Sequence, residues 1–447
     1  MSFNIDKQTM DELNLLGKFR QGSVYGLYSK VRTMGGQRLL NELFNHPLEE
    51  AEAINARSSI FRFFQEAGLD FPFDAQQVGQ MRDYLDAGAG RNALFTLVDL
   101  LKKRGLALLI RDERYKKSIQ GLQATIDTLK RCNAFIARLG STAGPYTARV
   151  TAIKKILSDK NLEKLLDIDI YTALSVRTLA FYDHLLKTSL QEPMQEIVGF
   201  IAELDVNITV SDVARANRFA YATAFPREDN ILSARGLYHP CIDGAVGNSI
   251  LLHKDSNVLF LTGANMAGKS TLMKSVGIGL YLAHMGFPVA AEGMDFSVRE
   301  GMYSSINVAD NINLGYSHFY AEVVRVKQAA EVAASGKKLL LMFDELFKGT
   351  NVKDAYDGTL AVTKAFADYH ACLFIVSTHI IEVGEALKGN DNIQFVYMPT
   401  IMVGTHPRYT YQLQQGITED RQGMMIIRNE GILELLKGRL GLSVSAT

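Results

Sequence analysis

Thr262-Gly263-Ala264-Asn265-Met266-Ala267-Gly268-Lys269-Ser270-Thr271 follows directly on the apolar run Asn257-Val258-Leu259-Phe260-Leu261. An apolar run that delivers the chain to a glycine-rich loop ending in Lys-Ser-Thr reads as a strand, a phosphate-binding loop and the start of a helix. Gly263 and Gly268 let the backbone curl so that successive N–H groups face inward toward phosphate oxygens. The helix start behind them adds its positive end. Lys269 is then placed on the β- and γ-phosphates and Ser270 on Mg²⁺. The whole loop, from Gly263 through Ala264, Asn265, Met266, Ala267, Gly268, Lys269 and Ser270 to Thr271, becomes the expected ATP site.

A second half of the site lies at Lys338-Leu339-Leu340-Leu341-Met342-Phe343-Asp344-Glu345. Large apolar residues in unbroken succession suit a parallel strand buried on both faces rather than a half-exposed one. Asp344 would stand at the carboxyl end of that strand, where α/β sheets gather ligands, and would hold Mg²⁺ through water or Ser270. Glu345 has no place on the metal. A second carboxylate immediately after the first suits a general base that polarises the attacking water. Alone, Asp-Glu after a strand could be a solvated helix cap; paired with the loop, it indicates an ATPase.

Ala371-Cys372-Leu373-Phe374-Ile375-Val376-Ser377 reads as another buried strand, ending in Thr378-His379. A histidine one step past a strand end can reach a γ-phosphate and the attacking water; the plainer alternative is a histidine that caps a loop. Between these motifs, Gly315-Tyr316-Ser317 opens an amphipathic helix with Phe319, Val323 and Val326 inward. Such an anion-binding helix start, carrying no nucleotide motif of its own, makes sense if Ser317 meets the γ-phosphate of a partner subunit.

With these residues in place, the segment from about 236 to 435 resembles the ATPase domain of the MutS family. The loop, with its internal Asn265-Met266 pair, is close to that family's version. Leu237-Tyr238-His239-Pro240 is similar to the start of that domain. Ser304-Ser305-Ile306-Asn307-Val308-Ala309-Asp310-Asn311, running into Ser317-His318-Phe319-Tyr320-Ala321-Glu322, resembles the stretch with the trans-acting serine. Asp344-Glu345-Leu346-Phe347-Lys348-Gly349-Thr350-Asn351 resembles the Mg²⁺ and base segment, and Ser377-Thr378-His379 the switch histidine. Upstream, Ser23-Val24-Tyr25-Gly26-Leu27 through Asn41, and Ala202-Glu203-Leu204-Asp205-Val206 with Ala214-Arg215-Ala216-Asn217, resemble the two ends of the family's core and lever domain. The resemblance implies an ABC-type ATPase whose two heads close on ATP in a homodimer, with Ser317 of one subunit completing the other's site. It also implies a short form: the mismatch-reading and connector domains have no counterpart before Ser23. Phe64-Gln65-Glu66 has the letters of the reader's wedge but falls on a helix of the lever-like segment. Gly244-Ala245-Val246-Gly247-Asn248 offers no aromatic residue where one is expected to stack on adenine.

A chain of 447 residues suits two domains rather than one core. The expected fold is multidomain, α plus α/β: an all-helical core and lever domain over residues 1–232, then an ABC-type P-loop NTPase domain over 233–447. Residues 10–230 read as almost wholly helical. Tyr115, Ile119, Leu122, Ile126, Leu129 and Ile136 form a stripe suited to core packing, or to its extended version, a long antiparallel lever helix. Gly140 to Pro145 would be the turn, and Val150, Ile153, Ile156 and Leu157 the returning helix. Cys132, Cys241 and Cys372 are scattered, without metal-ligand spacing, and read as thiols of a reducing cytosol. The first residues have neither the basic flank nor the apolar stretch of a secretory signal, and Ser275 to Ala291 is broken by His284 and Pro288. A cytoplasmic protein without a membrane span is expected.

Total charge is uninformative, with 48 basic and 48 acidic residues. Its distribution is not. Lys102 to Lys155 holds thirteen Lys/Arg against Asp112, Glu113 and Asp127, whereas Asp159 to Asp212 holds four basic and ten acidic residues. The basic stretch, with Arg111, Arg114, Lys116 and Lys117 as candidates, is a possible contact to the DNA backbone; the competing account is a basic arm neutralised by the acidic one. Any such contact would be electrostatic rather than sequence-reading, since Trp is absent from the chain and few aromatics are interleaved. The reading favoured is a DNA-binding ATPase of repair or recombination, coupling ATP state to lever geometry and passing its signal to a downstream repair protein. Its rival is a non-DNA ATPase remodelling a protein or ribosomal partner.

Overall fold

The computed structural model describes residues 3–17, 22–88, 93–110, 113–139, 144–169, 175–306, 318–403, 406–418, 431–432 and 435–436. Two compact units result, one built from residues 1–27, 46–55 and 217–447, the other from 28–45 and 56–216. Packing therefore divides the chain differently from a single cut at 232/233. The first 27 residues, 46–55 and the stretch after Asn217 pack with the α/β unit.

That unit is centred on a seven-stranded sheet. Its strands are β1 (Asn4–Ile5), β2 (Val258–Gly263), β3 (Gly301–Ser305), β4 (Leu339–Asp344), β5 (Leu373–Thr378), β6 (Ile393–Met398) and β7 (Gln414–Gln415), in the spatial order β1-β3-β4-β5-β2-β6-β7. All neighbours run parallel except β6 and β7. Every residue of β2, β3, β4 and β5 is buried, and β2, β4 and β5 are accordingly apolar without alternation over Val258–Leu261, Leu339–Phe343 and Leu373–Val376. Asp344 lies beside Ser377, and Thr378 beside Thr262, so the carboxyl ends of the three central strands finish at one level.

Among the described residues, the helices that accompany this sheet include α1 (Lys7–Glu12), α2 (Lys269–His284), α3 (His318–Ala334), α4 (Val352–Ala367) and α5 (Ile381–Leu387). Asp6 caps α1 and Asn351 caps α4, each accepting a backbone N–H at 2.9 Å. On α3, Val326, Ala329 and Ala333 are buried and Phe319 and Val323 pack beside them, the inward face expected from the sequence. A smaller sheet has the order Thr223–Phe225, Gly293–Ser297, Leu232–Leu237, Asn248–Leu252. Its first strand, with β1, departs from the helical expectation for the N-terminal half: two or three residues are too few to carry a periodic signal.

The other unit is helical, and its core centres on the helix Arg114–Leu139. Leu122, Ile126, Leu129 and Ile136 are buried there, with Tyr115 and Ile119 packed against them. The stripe is thus core packing. The returning helix, Thr147–Leu157, buries Val150, Ile153 and Leu157 but is only 11 residues long, against 26 for Arg114–Leu139. Phe64 is also in this core, its ring 5.2 Å from that of Tyr146, so it is no wedge.

The charge asymmetry is partly resolved within the same unit. Arg149, from the basic stretch, is held by Glu203 at 2.8 Å and Glu196 at 2.7 Å, from the acidic one. Lys103 pairs with Asp99, Arg131 with Asp127, and Lys130 donates to the Ile168 carbonyl. Arg114, Lys116 and Lys117 are exposed. Arg111 lies outside the described residues. All three cysteines are free thiols, and among the described residues no helix is long and apolar enough to cross a membrane.

Candidate nucleotide site

β2 brings the chain to Gly263, and the loop turns through Met266 (φ 71°) and Gly268 (φ 104°) into α2. At Gly268 a side chain is excluded twice. The φ value lies where L-residues are strained, and a Cβ would meet the Tyr411 ring at 3.0 Å. Lys269, 5 % exposed, folds back to donate to the Gly263 and Ala264 carbonyls at 2.9 and 3.2 Å. Burial lowers its pKa, opposed by the charges of Glu345 and Asp344.

Ser270 donates its hydroxyl to Oδ2 of Asp344 at the end of β4. The other oxygen, Oδ1, is buried without a hydrogen-bond partner among the described residues. A carboxylate with one oxygen shared with a serine and the other left bare is an oxygen donor set that fits a hard divalent cation such as Mg²⁺. Among the described residues no group of three or more His, Cys, Asp or Glu could hold a metal, so a cation here would depend on the hydroxyl, one carboxylate, and ligand or water oxygens.

Glu345 adopts φ 54°, its N–H bonded to the Ser377 carbonyl at 2.8 Å. From this unusual backbone the carboxylate brings Oε1 to within 3.6 Å of His379 Nδ1 and 3.9 Å of Lys269 Nζ. The bond from His379 holds the carboxyl below the usual carboxylate range; burial works against it, and the Lys269 charge adds to the lowering. The structure therefore brings together Lys269, Ser270, Asp344, Glu345 and His379 from three strand ends. Ser317 lies outside the described residues.

Lys269, Ser270, Asp344 and Glu345 face a cavity of about 650 Å³, which also takes in His239, Ile242 and Lys348; His379 is not among the residues that line it. Burial lowers the His239 pKa, and the neighbouring Lys274 charge adds to this. The stretch 244–248 lines the cavity without an aromatic ring, as its sequence requires. The Tyr411 ring lines the same cavity. Asn248 fixes it there, donating to the Tyr411 carbonyl at 2.9 Å and accepting the Leu413 N–H at 2.7 Å. Tyr411 sits at φ 57° in a polar segment, with no motif around it to mark it in the sequence.

Comparison with known proteins gives two family matches: MutS domain III over residues 8–211 and MutS domain V over 259–435. The first begins fifteen residues before Ser23 and takes in Gln8–Glu12 of α1. A DNA mismatch repair protein MutS from Leuconostoc mesenteroides is 29 % identical over 251 residues, covering 54 % of this chain and 28 % of the relative. One from Geobacillus kaustophilus is 26 % identical over 248 residues, covering 54 % and 27 %. One from Lactococcus lactis subsp. cremoris is 23 % identical over 300 residues, covering 66 % and 34 %. The chain spans about a third or less of the length of these curated relatives.

Proposed function

The chain belongs to the MutS family, and from that premise we propose that it is a Mg²⁺-dependent ATPase acting on DNA in repair. The observation that carries this reading is Asp344: one oxygen on Ser270, the other buried and bare, at the mouth of the Gly263–Thr271 loop. ATP would lie in the loop with its β- and γ-phosphates at Lys269 and its base against the Tyr411 ring. Ser270 and Asp344 would hold Mg²⁺, which supplies charge neutralisation on the phosphates. Glu345 would take the proton of the attacking water, and His379, 3.6 Å from that carboxylate, would orient it and contact the γ-phosphate. In a homodimer, Ser317 of each subunit would complete the site of the other. The helical unit would be the part that ATP state moves.

The purified chain is expected to hydrolyse ATP only when Mg²⁺ is supplied. Tyr411→Ala should raise KM for ATP by about five- to 150-fold, the range for loss of one base–aromatic stack. Absence of Mg²⁺-dependent hydrolysis would overturn the ATPase reading; an unchanged KM would take the ring off the base.

For DNA, the exposed Arg114, Lys116 and Lys117, together with Arg111, would grip the phosphate backbone. Reversing these four to Glu should weaken binding to every duplex alike and flatten its salt dependence, because fewer counterions are released per complex. ATP turnover without DNA should not change. Equal binding by the reversed and parent proteins across a salt titration would remove these residues from the interface.

A further inference from the structure

Two residues of one short turn hold left-handed backbone. Between β4 and α4, Glu345 sits at φ 54° and Phe347 at φ 61°. A bulky L-residue is strained in that region, where glycine is at ease. For Glu345 the conformation has a visible use, since its carboxylate reaches His379 and Lys269. Phe347 has no such use of its own. Its side chain carries no polar atom and is not among the groups that line the cavity. A strained residue persists only where its surroundings hold it, and here the holders can be named.

The first is α4. Phe347 is 6 % exposed, and its ring lies over Gly358, where a Cβ would stand 2.9 Å from Cδ2 and 3.1 Å from Cε2. Gly358 is not one of the glycines at positive φ, so it supplies space rather than backbone freedom, at a cost in helix propensity. The next residue, Thr359, is fully buried and donates its hydroxyl to the Leu346 carbonyl at 3.1 Å. Thus α4 grips the turn twice, by the ring of Phe347 and by the carbonyl of the residue before it. The second holder is the start of α3. The Phe319 ring meets that of Phe347 edge-on, with centroids 6.1 Å apart. Gly349 comes so close that a Cβ on it would lie 3.0 Å from the Phe319 nitrogen.

We propose that Phe347, seated on Gly358 and Thr359, is a positioning residue for Glu345. The Glu345 N–H is bonded to the Ser377 carbonyl on one side, and Phe347 is pinned on the other. Only Leu346 separates these anchors, which leaves the Glu345 backbone little room to turn. The proposal rests on the reading of Glu345 as the base and extends it to what holds that base in place.

Gly358→Ala tests it, because the added methyl meets the ring while alanine is the better helix former. It should lower kcat on the order of 10- to 100-fold, the effect of a displaced catalytic group, with KM for ATP within a few-fold. The acid limb of kcat/KM should move up toward the ordinary glutamate range, since a carboxylate drawn off His379 loses what favours its ionised form. A purely structural loss would change the amount of active protein and leave that limb where it was. Phe347→Leu added to Gly358→Ala should restore turnover in good part, as the smaller side chain makes room for the methyl. In a Glu345→Gln background, Gly358→Ala should cost nothing further, there being no base left to place. Parent-like kcat and acid limb in Gly358→Ala, or the same loss with and without the Glu345 carboxylate, would overturn the proposal. Near-parent turnover of Glu345→Gln would instead overturn the base reading beneath it. Should Gly358→Ala not fold, Thr359→Val, which removes the hydroxyl and keeps the shape, carries the same comparison.

Discussion

Glu345→Gln is expected to lower ATP turnover by about 10²- to 10⁴-fold while ATP affinity stays within a few-fold, the span that general-base catalysis contributes. The amide keeps the size of the side chain and cannot take a proton. Lys269, Ser270 and Asp344, the groups assigned to the nucleotide, are untouched by the change. Lys269→Ala should behave in the opposite way, losing affinity first. The acid limb of kcat/KM should also lie below the ordinary glutamate range, because His379 and Lys269 favour the ionised carboxylate. Removing His379 should move that limb up. Equilibrium binding of a labelled ATP and single-turnover hydrolysis read the two quantities apart. Near-parent turnover in Glu345→Gln would assign the base to another group.

Asp205→Ala is expected to destabilise the helical unit by about 3–5 kcal/mol, since it removes several bonds to a charged acceptor worth about 1.5–3 kcal/mol each, less relaxation. Asp205 is 1 % exposed and sits within the helix Gln191–Asn217. Its carboxylate accepts the Arg32 N–H at 2.9 Å and the Thr33 N–H and hydroxyl, both at 2.7 Å. Thr33 Oγ1 accepts the Gly36 N–H at 2.9 Å. The carboxylate therefore caps the helix Met34–Asn45 from 172 residues away. A chain of two units need not unfold in one step, so hydrogen exchange at Thr33 and Gly36 is the suitable readout. Protection equal to the parent at those amides would show that the cap contributes little.

Much of the chemistry was legible in the chain because it is local. Val258 to Thr271 holds strand, loop and helix start in one stretch, and Leu339 to Glu345 announces a doubly covered strand by having no polar alternation. Both periodicities are fixed by backbone geometry and need no partner to be read. The helical stripe from Leu122 to Ile136 was legible for the same reason. Asp205 could be singled out in sequence, but its purpose could not, because a buried carboxylate is explained only by the donors that surround it.

What the sequence by itself determined is the set of candidate groups: a glycine-rich loop with Lys269 and Ser270, an Asp344-Glu345 pair after a buried strand, and a histidine past another. Only the tertiary structure decided how those groups face one another. The positive φ of Glu345 separates two adjacent carboxylates, one toward Ser270 and one toward His379. Only the fold could supply Tyr411, which Asn248 holds across 163 residues of chain, or seat Glu12 on Ser304 across 292. A two-residue strand and a six-residue polar helix carry no periodic signature of their own. Their stability comes from a sheet edge and from Arg325, which folding brings to Asp6, and no local pattern records such a partner.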